Sequence, residues 1–221
     1  GDKVTAKKTM TRFGIPIVSG SDGALDSIEE AQRVASQIGY PVILKASSGG
    51  GGKGMKVSYS AEELKLNYKL VKSEARTNFG NDMVYLEKYL ANPKHIEIQV
   101  IADNYGNVLF LGERECSIQR NNQKLMEEAP STVLNYEQRN YIEKLVVDAF
   151  KQLGYTGVAT VEFLYDQGQF YFMEVNPRLQ VEHSVSDQIT GIDIVKEQIK
   201  IAAGEHLLIK QIPLYYIHNI K

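Results

Sequence analysis

The chain has 221 residues, 43% of them hydrophobic and 24% charged, which is enough for one sizeable domain or two small ones. Its formal net charge of -2 lacks the basic character of nucleic-acid-binding proteins, and no apolar run reaches membrane-spanning length. A single cysteine, Cys116, excludes an internal disulfide, and no signal peptide is visible, so we expect a cytoplasmic protein. Because the sequence starts at Gly1 without Met, we also expect a fragment of a longer protein.

The first part of the chain predicts two helices, at about 3–13 and 27–38, followed by strands at 40–46 and 55–59. Asp2 is the expected cap of the first helix, and Gly39 ends the second. Lys3 lies in the first helical turn, where the helix dipole disfavours a cation. It is therefore either simply exposed or placed to meet an anion.

Four consecutive glycines, Gly49, Gly50, Gly51 and Gly52, join these two strands. The loop is neither a Walker A loop nor a Rossmann fingerprint, because no helix follows it. Glycines leave backbone N–H groups free to approach phosphate closely, although they would also suit a flexible linker. Lysines stand at both rims, including Lys45 near the end of the first strand, so we favour a lid that covers phosphates.

The middle of the chain predicts a helix after the capping box at 60–63, a strand at 82–90, and a hairpin of strands 95–102 and 108–113. The hairpin alternates strictly, which indicates a half-buried face. Residues 113–124 are polar and rich in hydrogen-bond donors, including Arg114, Gln119, Asn122 and Lys124. They form either a solvated loop or the floor of an anion site with Lys124 as its point charge.

A second hairpin, with arms at 161–165 and 170–175, is the stretch most suggestive of chemistry. If residues 167–169 form a three-residue loop, Glu162 lies opposite Glu174 on one face and Asn176 follows on that face. Facing carboxylates repel each other, whereas carboxylate and amide oxygens suit Mg²⁺ or Mn²⁺. A two-residue loop would place the two glutamates on opposite faces, and a solvated hairpin face is the alternative.

Directly after this hairpin, Arg178, Gln180, Glu182 and His183 are crowded together. Arginine suits bidentate binding of carboxylate or phosphate, and Glu182 would be a general base kept ionised by neighbouring cations. A surface ion-pair cluster is the alternative. An amphipathic helix at 136–153 precedes the hairpin, and short helices follow near 187 and at 194–203. Strands in hairpins that alternate with helices indicate an α+β protein with largely antiparallel sheets.

Several motifs together resemble the ATP-grasp region of biotin carboxylase, the ATP-using component of acetyl-CoA, propionyl-CoA and pyruvate carboxylases. In chain order they read GDKVTAKK, YPVILKASSGGGGKGM, MVYLEKYL, HIEIQV, ERECSIQ, QKLMEEAPS, ATVEFLY and FMEVNPRLQVEH. The resemblance implies an ATP-grasp fold with a glycine-rich lid. It also implies an initial helix and linker at 1–20, a lid subdomain at 21–90 and a catalytic subdomain at 91–211, with an atypical tail at 212–221.

The same resemblance implies a role for individual residues. The implied ATP-binding residues are Lys3, Lys45, Gly49, Gly50, Gly51, Gly52, Glu87, Lys88, Leu90, His95, Gln119, Asn122 and Leu164. Those implied for bicarbonate are Lys124, Arg178, Gln180 and Val181, and those implied for the divalent metal are Glu162, Glu174 and Asn176. Glu182 matches the base that deprotonates bicarbonate, and Arg178 is also expected to stabilise the biotin enolate; with Lys124 these are the implied catalytic residues.

The implied activity is the carboxylation of biotin with ATP and bicarbonate through carboxyphosphate, as in acetyl-CoA carboxylase of fatty acid biosynthesis. It implies a biotin carboxyl carrier protein or domain, a carboxyltransferase component, flanking N- and C-terminal biotin carboxylase domains, and a homodimer. We expect neither nucleic acid nor membrane as a partner. Because the flanking domains lie outside the sequence, we expect this chain alone to bind ATP but carboxylate biotin poorly.

Three departures and two alternatives accompany the resemblance. Asn122 stands where many members have His, Ser184 replaces a common Pro, and the tail at 212–221 does not resemble the family. A different ATP-grasp ligase, similar to carbamoyl phosphate synthetase, would share the metal hairpin and the lid. A non-catalytic nucleotide-binding fragment is the other alternative.

Overall fold

The computed structural model describes residues 3–48 and 54–209, with side chains from residue 5 onward. Gly49, Gly50, Gly51 and Gly52 of the expected lid, the side chain of Lys3, and the tail at 212–221 lie outside the described part. The helices are α1 (Lys3–Arg12), α2 (Ile28–Ile38), α3 (Ala61–Phe79), α4 (Tyr136–Leu153), α5 (His183–Thr190) and α6 (Ile194–Ala202). The strands are β1 (Val42–Ala46), β2 (Met55–Ser58), β3 (Val84–Lys88), β4 (Lys94–Ala102), β5 (Val108–Arg120), β6 (Gln123–Glu128), β7 (Gly157–Asp166) and β8 (Gln169–Asn176).

The chain divides into two compact units, of which the first is built mainly from Val18–Asn92. Its antiparallel sheet has the order β2-β1-β3. Helices α2 and α3 begin where Ser27 and Ser60 accept hydrogen bonds from the backbone N–H three residues later, which satisfies an otherwise unpaired donor. The core between sheet and helices contains Val34, Val42, Leu44, Leu64, Val71, Val84 and Leu86.

The second unit contains Ala6–Ile17, Pro93–Gln119 and the chain from Lys124 onward. Its five-stranded sheet has the order β6-β5-β4-β7-β8. One face packs against α4 in the main core, which includes Ile96, Ile98, Val146, Phe150, Val161 and Phe163. The other face carries a smaller core with Ile101, Val158, Ile194 and Ile201. Because side chains alternate along a strand, the polar residues Glu97, Gln99, Thr160 and Glu162 lie on this second face.

The solvated-loop alternative for residues 113–124 was wrong, and so was the expectation that the β4–β5 hairpin has a half-buried face. Residues 113–124 are not a loop: β5 continues to Arg120, and a two-residue turn leads into β6. The turn residues Asn121 and Asn122 have φ of 53° and 62°, a left-handed conformation that asparagine tolerates and that tight hairpins require. The polar face of β4 is also not half-exposed, because Glu97 and Gln99 are both fully buried.

The expected three-residue loop between β7 and β8 was wrong as well, although the facing glutamates are present. Asp166 pairs with Gln169, so the loop is the two residues Gln167 and Gly168. The register then shifts by one at a β-bulge: Phe163 faces Phe172, whereas Glu162 faces Glu174. Met173 is the extra residue, and it returns Glu174 to the face of Glu162.

In the part of the chain that the structure describes, none of the helices combines the length and apolar character needed to cross a membrane.

Candidate active site

Lys124 is the centre of the site in the second unit. The chain places it on β6, two residues after the tight turn, and its side chain is partly buried. Its Nζ donates to Oε1 of Glu182 at 2.7 Å and to Oε1 of Glu162 at 3.2 Å, and it also contacts Oε1 of Glu97. One ammonium group therefore joins carboxylates from β4, from β7 and from the segment that precedes α5.

Both carboxylate oxygens of Glu162 have polar neighbours. Its Oε1 accepts from Nδ2 of Asn176 at 2.8 Å and from Nε2 of Gln180 at 3.3 Å, in addition to Lys124. Its Oε2 lies 3.0 Å from Nε2 of His95. Burial alone would raise the pKa of Glu162, but contact with His95 and the charge of Lys124 outweigh burial and hold this pKa at about 2. Glu162 is therefore ionised at neutral pH.

His95 is positioned by Gln119, another residue implied for ATP. Nε2 of Gln119 lies 2.8 Å from Nδ1 of His95 and also donates to the carbonyl of Cys116. These contacts fix the orientation of the His95 ring, so that its Nε2 faces Glu162. Leu164 pairs with His95 across β7 and β4 and lies on the same face as Glu162.

Glu97 is a member of this site that the sequence reasoning missed. It is fully buried, and it lies within reach of Lys124, of Arg114 and, at 3.5 Å, of Nε2 of His95. The signal was in the sequence, since Glu97 is two residues from His95 and therefore shares its face of β4. A carboxylate between the apolar residues Ile96 and Ile98 needs a cationic partner once it is buried, and this made Glu97 a candidate site residue.

Glu182 is half-buried and lies beside Lys124 at the start of α5. Burial would raise the pKa of Glu182, but the hydrogen bond from Lys124 outweighs it, so the pKa lies below that of an ordinary glutamate. The carboxylate is thus ready to accept a proton at neutral pH. Gln180 is buried, and its carbonyl accepts from Nδ1 of His183 at 2.7 Å, which fixes the turn that presents Glu182.

Four other residues implied for bicarbonate, metal or ATP lie at the edge of the group around Lys124. Arg178 is exposed, and its Nη1 donates to the carbonyl of Leu179 at 3.1 Å. Val181 is 91% exposed. Glu174 lies opposite Glu162 and is half-buried, and Asn122 is exposed in the turn between β5 and β6. Arg178 and Val181 therefore face solvent rather than Lys124.

The first unit carries a separate set of residues implied for ATP. Nζ of Lys45 donates to Oε2 of Glu87 at 2.6 Å across β1 and β3. The ammonium of Lys88 donates to the carbonyls of Gly39 and Tyr40, which follow α2. Leu90 follows β3 and is half-buried.

The donor set around Glu162 fits a divalent cation. His95, Glu97 and Glu162 offer ligand atoms within 4.8 Å of one another, and the amide of Asn176 adjoins them. Ionised carboxylates and amide oxygens are the ligands that Mg²⁺ and Mn²⁺ prefer. Glu162 already attracts cationic and N–H donors, which shows that positive charge is favoured at this position.

Comparison with known proteins places this chain in a family. Residues 2–210 match the family model described as carbamoyl-phosphate synthase L chain, ATP binding domain. The chain belongs to this family. It is 56% identical over 212 residues to the 2-oxoglutarate carboxylase small subunit of Hydrogenobacter thermophilus, covering 96% of this chain and 45% of that relative. It is 53% identical over 213 residues to biotin carboxylase 1 of Bacillus subtilis, covering 96% of this chain and 47% of that relative.

Solved structures of the family agree with the fold. The biotin carboxylase domain dimer of H. thermophilus 2-oxoglutarate carboxylase, in complex with MgADP, ADP and bicarbonate, gives a TM-score of 0.90 at 56% identity and covers 96% of this chain and 47% of that chain. The biotin carboxylase–β-γ-ATP complex from Campylobacter jejuni gives a TM-score of 0.89 at 50% identity, and the match covers 93% of this chain and 46% of that chain. The predicted ATP-grasp fold and the resemblance to biotin carboxylase are therefore confirmed. The chain spans about half the length of the curated relatives that it matches.

Proposed function

We propose that this ATP-binding domain performs the biotin carboxylase step of a biotin-dependent carboxylase. The observation that supports this most directly is Lys124, whose Nζ lies 2.7 Å from Oε1 of Glu182 and 3.2 Å from Oε1 of Glu162. A cation, a carboxylate base and a carboxylate suited to a divalent metal thus form one hydrogen-bonded group. The names of the relatives, biotin carboxylase and 2-oxoglutarate carboxylase small subunit, support the same reaction.

In the proposed reaction, Lys124 and Gln180 hold bicarbonate, with Arg178 and Val181 as further contacts. Glu182 accepts the bicarbonate proton, and a bicarbonate oxygen then attacks the γ-phosphorus of ATP. The bond between that phosphorus and the ADP oxygen breaks, which gives carboxyphosphate and ADP. The carboxyl group next transfers to the ureido nitrogen of biotin as its bond to phosphate breaks. The ureido proton passes to the departing phosphate, and Arg178 stabilises the biotin enolate that forms.

The residues proposed for ATP include Lys45, Glu87, Lys88 and Leu90, on or next to β1 and β3, and His95, Gln119 and Leu164, on β4, β5 and β7. The set is completed by Asn122, in the turn after β5, and by Lys3 and Gly49, Gly50, Gly51 and Gly52, which fall on parts of the chain outside the described side chains. Glu162, Glu174 and Asn176 would hold Mg²⁺ or Mn²⁺, which neutralises phosphate oxygens when bound. For such transfers, positioning and electrostatics supply most of the rate.

The implied assembly also remains part of the proposal. A biotin carboxyl carrier protein or domain would deliver biotin, and a carboxyltransferase component would consume carboxybiotin. We also propose that residues 21–90 form the lid subdomain and residues 91–211 the catalytic subdomain.

The deciding experiment measures phosphate release from Mg-ATP by the purified chain, with and without bicarbonate and free biotin, and follows labelled bicarbonate into carboxybiotin. We expect hydrolysis that depends on bicarbonate, a low rate of carboxybiotin formation as expected for this chain alone, and loss of both in Glu182→Gln. Glu205→Gln, the same change in the exposed turn after α6, is the matched control and should retain both. Hydrolysis at the same rate without bicarbonate would contradict the proposal.

The family description supports a second candidate, a reaction of the carbamoyl-phosphate-synthase type. It also begins with phosphorylation of bicarbonate by ATP, so it shares the roles of Lys124 and Glu182. The same experiment separates the two, because this enzyme would hydrolyse ATP with bicarbonate but form no carboxybiotin.

A further inference from the structure

Arg114 is a fully buried arginine on β5 that belongs to none of the ligand sets above. Its Nη2 lies 3.2 Å from Oε2 of Glu97, and its Nη1 donates to Oε1 of Gln99 at 2.7 Å and to Oγ of Ser186 at 2.8 Å. Burying a guanidinium without partners is costly, because the charge loses its hydration. The partners that compensate Arg114 are therefore a clue to its role.

Arg114 is connected to Lys124 through a carboxylate that both residues contact. Oε2 of Glu97 pairs with Arg114 and Oε1 pairs with Lys124, so one buried anion is shared by two cations. Without Arg114, the full charge of Glu97 would act on Lys124 alone. The ammonium of Lys124 would then be drawn toward Glu97 and away from Glu182.

Arg114 is connected to Glu182 through its hydrogen bond to α5. Ser186, which accepts from Nη1 of Arg114, is buried in α5, and Glu182 is the residue that precedes the first turn of this helix. Hydrogen bonds to Ser186 and to Glu97 leave from one rigid planar group, whose donors have a fixed mutual geometry. Arg114 therefore contacts both supports of the Lys124–Glu182 pair, Glu97 and Ser186.

We infer that Arg114 is a positioning residue that holds the ammonium of Lys124 and the carboxylate of Glu182 at hydrogen-bonding distance. The inference rests on the proposed function, in which Lys124 binds bicarbonate and Glu182 removes its proton. Proton transfer and nucleophilic attack depend steeply on such distances, whereas the residues proposed for ATP in the first unit are independent of Arg114.

The kinetic test uses Arg114→Lys, which keeps the charge but loses the planar fork. We expect the KM for bicarbonate to rise and kcat to fall, each by at least about tenfold, with the KM for Mg-ATP within about threefold of the parent chain. Arg139→Lys is the matched control, because Arg139 also binds a buried carboxylate, that of Glu113 at 2.6 Å. It should lower stability and leave both bicarbonate parameters unchanged. Equal changes in the KM for bicarbonate and in kcat for Arg114→Lys and Arg139→Lys would overturn the inference.

A second variant guards against a folding defect in Arg114→Lys. Ser186→Ala removes only the hydrogen bond to α5 and leaves the contact with Glu97, so we expect a smaller fall in melting temperature than in Arg114→Lys, with a loss in kcat of about threefold or more. Unchanged kinetics in Ser186→Ala would show that α5 is held in other ways, and would overturn the inference that Arg114 positions Glu182 through Ser186.

A structural measurement separates this inference from the proposed function. In a crystal structure of Arg114→Lys, the separation of Lys124 Nζ and Glu182 Oε1, 2.7 Å here, should exceed about 3.5 Å, beyond hydrogen-bonding range. A retained contact would overturn the inference even if the variant were inactive. Absence of bicarbonate-dependent hydrolysis in the parent chain would instead overturn the proposed function and leave this distance as the measure of positioning.

Discussion

Asp103 fixes the turn between β4 and β5. Its Oδ1 accepts the backbone N–H groups of Tyr105 and Asn107, and its Oδ2 accepts the side chain of Asn107 and the N–H of Leu207. Burial alone would raise the pKa of Asp103, but these hydrogen bonds outweigh it and hold the pKa at about 2. The same carboxylate therefore fastens both the hairpin and the segment after α6.

This pKa predicts a pH-dependent contribution to stability. Because the folded pKa lies below the usual value of 3.8, the contribution is complete above that value and disappears as the pH falls through about 2. We expect Asp103→Asn to lower the free energy of unfolding at pH 7 by roughly 2 kcal/mol. Urea unfolding from pH 7 down to pH 2 would measure it, with Asp148→Asn on the exposed face of α4 as control. A difference between parent and variant that stays constant with pH would argue against this reading.

At the scale of the element, Gly20 lets a loop approach β3. It forms an antiparallel bridge with Glu87, and its neighbours Ser19 and Ser21 exchange backbone hydrogen bonds with Lys88 and Leu86. A Cβ on Gly20 would overlap the carbonyl oxygen of Leu86, which is backbone and has little freedom to move. Because Gly20 has no side chain, the loop can approach closely enough for these backbone hydrogen bonds to form, and they hold β3, which contains Glu87 and Lys88, in place.

We predict that Gly20→Ala destabilises the first unit by about 2 kcal/mol, as overpacking against a rigid neighbour does. It should also weaken ATP binding, because β3 must shift. Thermal unfolding and calorimetric titration with Mg-ATP would measure the two effects. Ser19→Ala, an exposed position whose backbone bond to Lys88 is retained, should change neither. ATP affinity equal to that of the parent chain would show that this strand does not contact the nucleotide.

The β7–β8 hairpin shows what sequence reasoning can and cannot provide for an element. The aromatic and β-branched arms predicted both strands, and the facing glutamates were predicted from an assumed three-residue loop. The actual loop is Gln167-Gly168, and the pairing is restored by the bulge at Met173. Alternation reports which residues share a face only while the register is regular, so a bulge cannot be placed from the pattern of side chains alone.

At the scale of the whole molecule, caps and periodicity predicted the helices well. α4 lies at 136–153 as expected, because Asn135 caps it and Gly154 ends it. The buried polar face of the second sheet was missed, since Glu97 and Arg114 are each unfavourable inside a protein unless they are paired. The two are distant in sequence and meet only across β4 and β5, so neither segment alone predicts the pair.

Nucleotide binding should be visible in the stability of the whole chain. A ligand present at about one hundred times its Kd stabilises the native state by about 2.7 kcal/mol, which raises Tm by roughly 5–10 °C for a chain of this size. We expect such a rise with Mg-ATP and a much smaller one with ATP and EDTA. Glu162→Gln should lose the magnesium-dependent part, whereas Glu137→Gln in the first turn of α4 should retain it. Equal shifts with and without magnesium would refute the metal assignment.

The arrangement around Lys124 has a consequence for the order in which substrates bind. The carboxylates of Glu97, Glu162 and Glu182 outnumber the cations Lys124 and Arg114 by one, so the cluster is negative before any ligand arrives. Bicarbonate would be repelled and would find the ammonium of Lys124 already engaged, whereas a magnesium ion held at Glu162 would offset the negative charge of the carboxylates. We therefore expect ordered addition, with Mg-nucleotide first and bicarbonate second. Titration of bicarbonate should show an affinity at least about tenfold higher with Mg-ADP present, and random addition with equal affinities would contradict this order.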